Sequence, residues 1–229
     1  MPRLLFDRSL EKLHNDLRTL GEMVGDIFSS SIEMLRNNDT EIAKAIMDGD
    51  GPVNALEHSI EQSCMLLIAR QQPVASDLRN ITATLKAITD MERIADQCSD
   101  IAEIVLRVEE HHHSNTTTSS FLSMEKVQKM FASALDMYQH ALHALLEEDV
   151  EEAQLVCATD DVVDTYYREL VTEISAQMAE NPNMVHDAVN AILVVKYIER
   201  LGDHSTNIAE WAIYRVQGTH PDLNVHQPQ

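Results

Sequence analysis

Glu92-Arg-Ile-Ala-Asp-Gln-Cys-Ser-Asp-Ile-Ala-Glu103 and Glu199-Arg-Leu-Gly-Asp-His-Ser-Thr-Asn-Ile-Ala-Glu210 are the two stretches on which the reading of this chain turns. They align without a gap, and six of the twelve positions are identical. Most of the others are conservative exchanges: Ile/Leu, Ala/Gly, Cys/Ser, Ser/Thr and Asp/Asn. Pro73 and Pro182 precede the two stretches at equivalent places, within two residues. Chance rarely produces such a match, so the chain is a duplication of one structural unit.

Outward from these stretches the periodicity is helical. Leu10, Leu13, Leu17, Leu20, Val24, Ile27, Ile32 and Leu35 recur at spacings of three and four, which predicts one helix over 4–36, broken by Asn37, Asn38 and Asp39. A short helix is expected over about 40–48, then a break at Gly49-Asp50-Gly51-Pro52 with Asp50 as N-cap. A long helix to about Gln71 and another from about Ser76 to Glu109 complete the first half. The second half repeats the order: about 122–147, a short acidic helix near 149–156, then 159–180 and 184–217. Residues 111–120 are polar and aperiodic and read as a linker, so the units are placed at 1–110 and 121–217, with a flexible tail over 218–229. The histidines at 111–113 sit in that polar stretch and read as solvated. The fold class is all-α.

Composition agrees. Six Gly, six Pro and 4% aromatic residues against 44% apolar content argue for long helices rather than a β-sandwich. The formal charge of −21 repels phosphates and anionic headgroups, which disfavours nucleic-acid or direct lipid binding and favours cations and basic protein surfaces. The three cysteines, Cys64, Cys98 and Cys157, form no CxxC pair and read as reduced thiols, with Cys64 and Cys98 in the core. The first residues do not resemble a signal peptide, and no run is long and apolar enough to span a membrane. A cytoplasmic location is the expectation.

The chemistry lies in rows of carboxylates. Glu92, Asp96 and Asp100 are four apart, with Glu103 on the same side, so they share one helix face with a drift of about 40° per step. They flank the apolar stripe of Ile88, Met91, Ala95, Cys98 and Ala102. Glu199, Asp203 and the amide Asn207 repeat the row. Like charges at this spacing each cost a few tenths of a kcal/mol, and a bound cation reverses that repulsion. Asp160 and Asp164 on the middle helix of the second half are placed to complete one site, and Asp50 with Asn54 the other. Oxygen-only ligation suits hard divalent cations. A ferritin-like di-iron centre is disfavoured, because the one Glu-x-x-His on a core helix, Glu11–His14, has no counterpart in the second half. No phosphate-binding glycine loop, HExxH or GxSxG occurs.

Ile68-Ala-Arg-Gln-Gln-Pro-Val-Ala-Ser-Asp-Leu-Arg79, Met91-Glu-Arg-Ile-Ala-Asp96 and Ile198-Glu-Arg-Leu-Gly-Asp-His-Ser-Thr-Asn-Ile-Ala-Glu210 resemble the signature segments of the PhoU family over nearly the whole chain. The resemblance implies two tandem, pseudo-symmetric three-helix bundles and metal clusters on the E/D-xxx-D faces. Carried over by position, the ligands are Asp50, Glu92, Asp96 and Asp100 in the first half, and Asp160, Asp164, Glu199 and Asp203 in the second. The metal would be a divalent or trivalent ion (Mg, Mn, Zn or Fe). Asn54 stands where the family usually has Asp. The resemblance further implies a non-enzymatic regulator of phosphate uptake and phosphate-starvation signalling. Its partners would be the ATPase subunit of a phosphate ABC transporter, a sensor histidine kinase and a second copy of itself. The rivals are a carboxylate-bridged metalloenzyme on a helical bundle and a metal-free interaction scaffold.

Overall fold

The computed structural model describes residues 2–111 and 125–219. Apart from His111, Gly218 and Thr219, the segments read as linker (111–120) and tail (218–229) lie outside the described residues. Among the described residues six α-helices follow in order: α1 Pro2–Asn37, α2 Thr40–Gln71, α3 Ala75–His111, α4 Glu125–Glu147, α5 Val150–Glu180 and α6 Val185–Gln217, with a 3₁₀ turn at Pro182–Met184 before the last. No strand occurs among the described residues. Helices α1, α2 and α3 pack on one another, as do α4, α5 and α6, so the duplicated unit is a three-helix bundle.

Each bundle turns its first corner in the same way. Asn38 and Glu148 adopt left-handed backbone (φ 51° and 60°). The next residues, Asp39 and Asp149, return their N–H groups to the carbonyls of Met34 and Ala144 at 3.1 and 3.0 Å, which closes a Schellman-type end without glycine. The same aspartates cap the following helix: Asp39 accepts from the N–H groups of Glu41 and Ile42, and Asp149 from that of Glu152.

The middle helices depart from the sequence expectation. Residues 40–48 and 52–71 form one helix, α2, with Pro52 inside it, and 149–156 and 159–180 likewise form α5. Asp50 is therefore mid-helical, and Asp39 is the cap. Interior proline costs about 3 kcal/mol. Ala43, Ile46, Val53 and Ile60, buried on one face across the proline, outweigh that cost, since burying each Ile or Val contributes about 1.5–3 kcal/mol. The alternation of Gly and Pro signalled a break locally, and tertiary packing overrode it.

The two bundles share one continuous apolar core. Phe28 of α1 meets Phe131 of α4 edge-on, with ring centroids 5.5 Å apart, and lies 5.8 Å from Tyr138. The Tyr138 hydroxyl donates to the Gly21 carbonyl at 2.8 Å, a buried bond between bundles worth about 1 kcal/mol net. Cys64 and Cys98 are buried, their thiols pushed up to about 12 chiefly by burial.

Candidate metal-binding carboxylate clusters

The seam between bundles is made by α3 and α6 running antiparallel, which aims both carboxylate rows. Asp90 of α3 accepts from the Asn207 amide at 3.0 Å and lies 2.9 Å from His204 Nδ1 on α6. Farther along, the Tyr197 hydroxyl hydrogen-bonds to Asp100, and Arg107 reaches Asn190 at 3.4 Å. The alignment that superposes Glu92 on Glu199 also puts Asp90 on Tyr197 and Asp100 on Asn207. The Asp90–Asn207 and Tyr197–Asp100 contacts are thus one contact made twice, by different chemistry, across a pseudo-two-fold axis.

With this seam fixed, Glu92 and Asp96 face α2. Asp96 hydrogen-bonds to Asp50, and the Asn54 amide donates to Asp50 Oδ2 at 2.9 Å. Asp50 Oδ1 and Asn54 Oδ1 are buried without a hydrogen-bond partner. Asp96 is pushed up to about 6, by burial first and then by Glu92 and Asp50. Glu92 is also raised, by burial and then by Glu57. Glu57, one turn beyond Asn54, extends the cluster with His58 and Glu61, whose ligand atoms lie within 4.8 Å of one another.

In the second half, Asp160 and Asp164 of α5 face Glu199 and Asp203 of α6 across an open cleft of about 450 Å³ that Asn207 and His204 also line. Gly202 permits the approach: a Cβ there would lie 3.3 Å from Val163 and 3.7 Å from Asp160 Oδ1. Burial, then Glu199 and Asp160, push Asp203 up to about 6, and Lys196 opposes the rise. Asp160 is raised by burial and by Asp164, against a hydrogen bond from Thr206. Lys196 Nζ lies 2.5 Å from Glu199 Oε2 and 5.2 Å from the centre of the Tyr167 ring.

The eight carboxylates singled out in the sequence lie in these two neighbourhoods, but no three of them bring ligand atoms within 4.8 Å of one another; among the described residues only Glu57, His58 and Glu61 do so. Asp100 is engaged by Tyr197, and Asn207 spends its amide N–H on Asp90. Sequence reasoning missed Asp90, Glu57 and Lys196. The last two stand at helical spacing from residues already chosen: Glu57 is three beyond Asn54, and Lys196 is three before Glu199. Asp90 carries no such signal, because its partners lie on another helix.

The first cluster carries the clearer fit for a cation. Two buried carboxyl or carboxamide oxygens there, on Asp50 and Asn54, lack partners, and Asp96 beside them is raised by burial first and then by the neighbouring carboxylates, a situation that oxygen-seeking ions relieve.

The PhoU domain family matches residues 17–105 and again residues 127–212, one match per bundle. The chain is 35% identical over 225 residues to a protein named phosphate-specific transport system accessory protein PhoU homolog from Clostridium acetobutylicum, covering 98% of this chain and all of that one. It is 30% identical to the Escherichia coli K12 protein of that name, over 93% of this chain and 86% of the other. The crystal structure of PhoU from Pseudomonas aeruginosa superposes with a TM-score of 0.85 at 31% identity, over 93% of this chain and 100% of that one. A phosphate transport system regulatory protein PhoU from Streptococcus pneumoniae gives 0.84 at 27%, over 95% of this chain and 99% of that one. The chain belongs to the PhoU family.

Proposed function

We propose that the chain is a regulatory, non-enzymatic accessory protein of phosphate transport. It acts in the cytoplasm as a homodimer and restrains phosphate uptake and phosphate-starvation signalling. Its partners in this reading are the ATPase subunit of a phosphate ABC transporter and a sensor histidine kinase. The relatives' names supply the phosphate-transport context. The observation that carries the mechanistic reading is the pair of carboxylate clusters, one per bundle, each assembled from two helices beside the seam.

In this reading, Asp50, Glu92, Asp96 and Asp100 hold metal in the first bundle, and Asp160, Asp164, Glu199 and Asp203 in the second. A bound cation would neutralise the repulsion within each cluster and offer electrophilic charge at the surface. This chain's own residues do the rest. Asn54 orients Asp50 by its amide hydrogen bond, Lys196 partly neutralises Glu199, and the Asp90 and Tyr197 contacts hold α3 and α6 in register. The rigid seam lets a change of charge at one cluster be felt along the face that a partner reads.

The test is a chain with Asp96→Ala and Asp203→Ala together. Retained helicity with loss of phosphate-dependent repression, and loss of binding to the transporter ATPase or the kinase, is the expected outcome. Normal repression in that variant would remove the clusters from the mechanism and leave a metal-free scaffold.

A further inference from the structure

An open groove of about 380 Å³ lies at one end of the first bundle, between the start of α1 and the end of α2. It runs from Leu5 to Asp16 on one helix and from Ser63 to Arg70 on the other, with no residue of α3 in its walls. At 1.5 Å per residue that is about three helical turns, or about 16 Å. Leu13 and Leu67, 3% and 7% exposed, form its floor, and Leu5 and Leu66, 61% and 48% exposed, form its lips. Arg8, Lys12 and Arg70 line the same groove. Lys12 pairs with Asp16, whereas Arg8 and Arg70 pair with no carboxylate among the described residues.

The fold does not require this groove. The alignment that superposes the caps Asp39 and Asp149 puts Glu173, Ala176, Gln177 and Glu180 where the first bundle has Ser63, Leu66, Leu67 and Arg70. It also puts Lys126 where the first bundle has Asp16, and Lys126 bridges to Glu169 and Glu173. The second bundle thus fills the equivalent place with ion pairs and acidic side chains. The first keeps leucines and unpaired guanidinium groups there, on a chain whose formal charge is −21. The charge of the whole chain favours basic partners, and the groove inverts that preference locally.

We propose that this groove docks an acidic amphipathic helix of a partner protein. Its leucines take the apolar stripe of that helix, and Arg8 and Arg70 take the carboxylates that flank the stripe. A trough about three turns long between two helices matches the helix-in-groove mode of recognition, in which anchors at i, i+3 or i+4, and i+7 enter an apolar channel. A small molecule suits it less, because ligand pockets bury most of their ligand and this groove leaves Leu5 and Leu66 open to solvent. An extended polyanion, such as a nucleic acid or an anionic membrane surface, meets the charge of the whole chain. A single helix seated in the groove feels chiefly the charges within the screening length of about 8 Å, and these include Arg8 and Arg70. The carboxylate clusters take no part, so the site stands independently of the metal reading.

The test is fluorescence anisotropy of two labelled model peptides of about 18 residues, long enough to form a helix, titrated with the full chain. Both carry the same leucine stripe, flanked by Glu in one and by Lys in the other. Net charge alone favours the Lys peptide. The groove predicts saturable binding of the Glu peptide, about tenfold weaker to Arg8→Glu/Arg70→Glu and about fivefold weaker to Leu66→Ala. All three side chains are exposed, so these variants should fold, which circular dichroism and melting check. Lys-peptide binding should hold or rise in the arginine variant. Asp96→Asn/Asp203→Asn should bind the Glu peptide as the wild type does, so that failure of the carboxylate clusters and failure of the groove are separable.

No binding of the Glu peptide, or equal binding by the wild type and both groove variants, would overturn the assignment. A change in the chain's own sedimentation in the groove variants would make a second copy the occupant and overturn it too. So would binding of the wild type, but not these variants, to phosphatidylglycerol vesicles without binding of the Glu peptide, which would make the occupant a membrane.

Discussion

The two carboxylate clusters stand on the same frame and balance their charge differently. In the second bundle Glu199 holds the Lys196 ammonium, which also lies over Tyr167. In the first, the position of Lys196 is Thr89 and that of Tyr167 is Glu57, so Glu92 faces another carboxylate where Glu199 faces an ammonium. Asn54 in place of Asp164 removes one charge from the first cluster, and Glu57 adds one nearby. Duplication thus preserved the placement of the carboxylates and let the internal counter-charge diverge. The second cluster carries an ammonium against its carboxylates within the chain, whereas the first sets Glu57 beside Glu92, with Arg93 and His58 in partial compensation.

The largest expected effect comes from pH and metal together. Asp96 and Asp203 are raised from 3.8 to about 6 in the folded chain. Folding therefore takes up protons between those values. The metal-free protein is most stabilised by these groups below about 4 and loses that contribution as pH rises through about 6. Metal replaces the protons, and at a free concentration a hundredfold above Kd it adds about 2.7 kcal/mol per cluster, or about 5 kcal/mol for two. Urea unfolding at pH 5 and 7.5, with EDTA and with metal, should show metal stabilisation at pH 7.5 that fades at pH 5. Equal metal stabilisation at both pH values would break the account of the raised carboxylates.

Next in size is the seam. Asp90→Ala strands the Asn207 amide and His204, both buried or nearly so, and should cost about 3 kcal/mol in urea unfolding. The symmetry-related change, Tyr197→Phe, removes one hydroxyl at a more exposed place and should cost under about 1 kcal/mol. Equal costs would contradict the unequal load assigned here to two contacts that symmetry makes equivalent.

Smaller still is the effect of the internal ammonium. Lys196→Met removes one positive charge from the second cleft and should tighten cation binding there by about fivefold, corresponding to about 1 kcal/mol for a partly exposed charge pair. Isothermal titration should find the first cluster unchanged. Loosened binding would show that Lys196 serves to position Glu199 rather than to compete with the ion.

Much of this molecule was legible in the sequence because its signals are local. Heptad-like spacing of Leu13, Leu17, Leu20 and Val24 set α1, and the gapless match of 92–103 to 199–210 set the duplication and both rows. The continuous run of α2 through Gly49-Asp50-Gly51-Pro52 was not legible, because burial of Ile46 and Val53 against other helices decides it. Asp90 was hidden for the same reason. It lies two residues before a row it does not join, and only the antiparallel docking of α3 on α6 gives it partners.

The central claim is that each bundle holds a cation on its carboxylate cluster. Elemental analysis of untagged protein before and after EDTA, with melting curves on both samples, tests it most directly. The account predicts at least one metal equivalent per bundle, lost to EDTA together with thermal stability and restored by Mg, Mn, Zn or Fe. Protein that carries no metal, and whose melting none of these ions shifts, would contradict it.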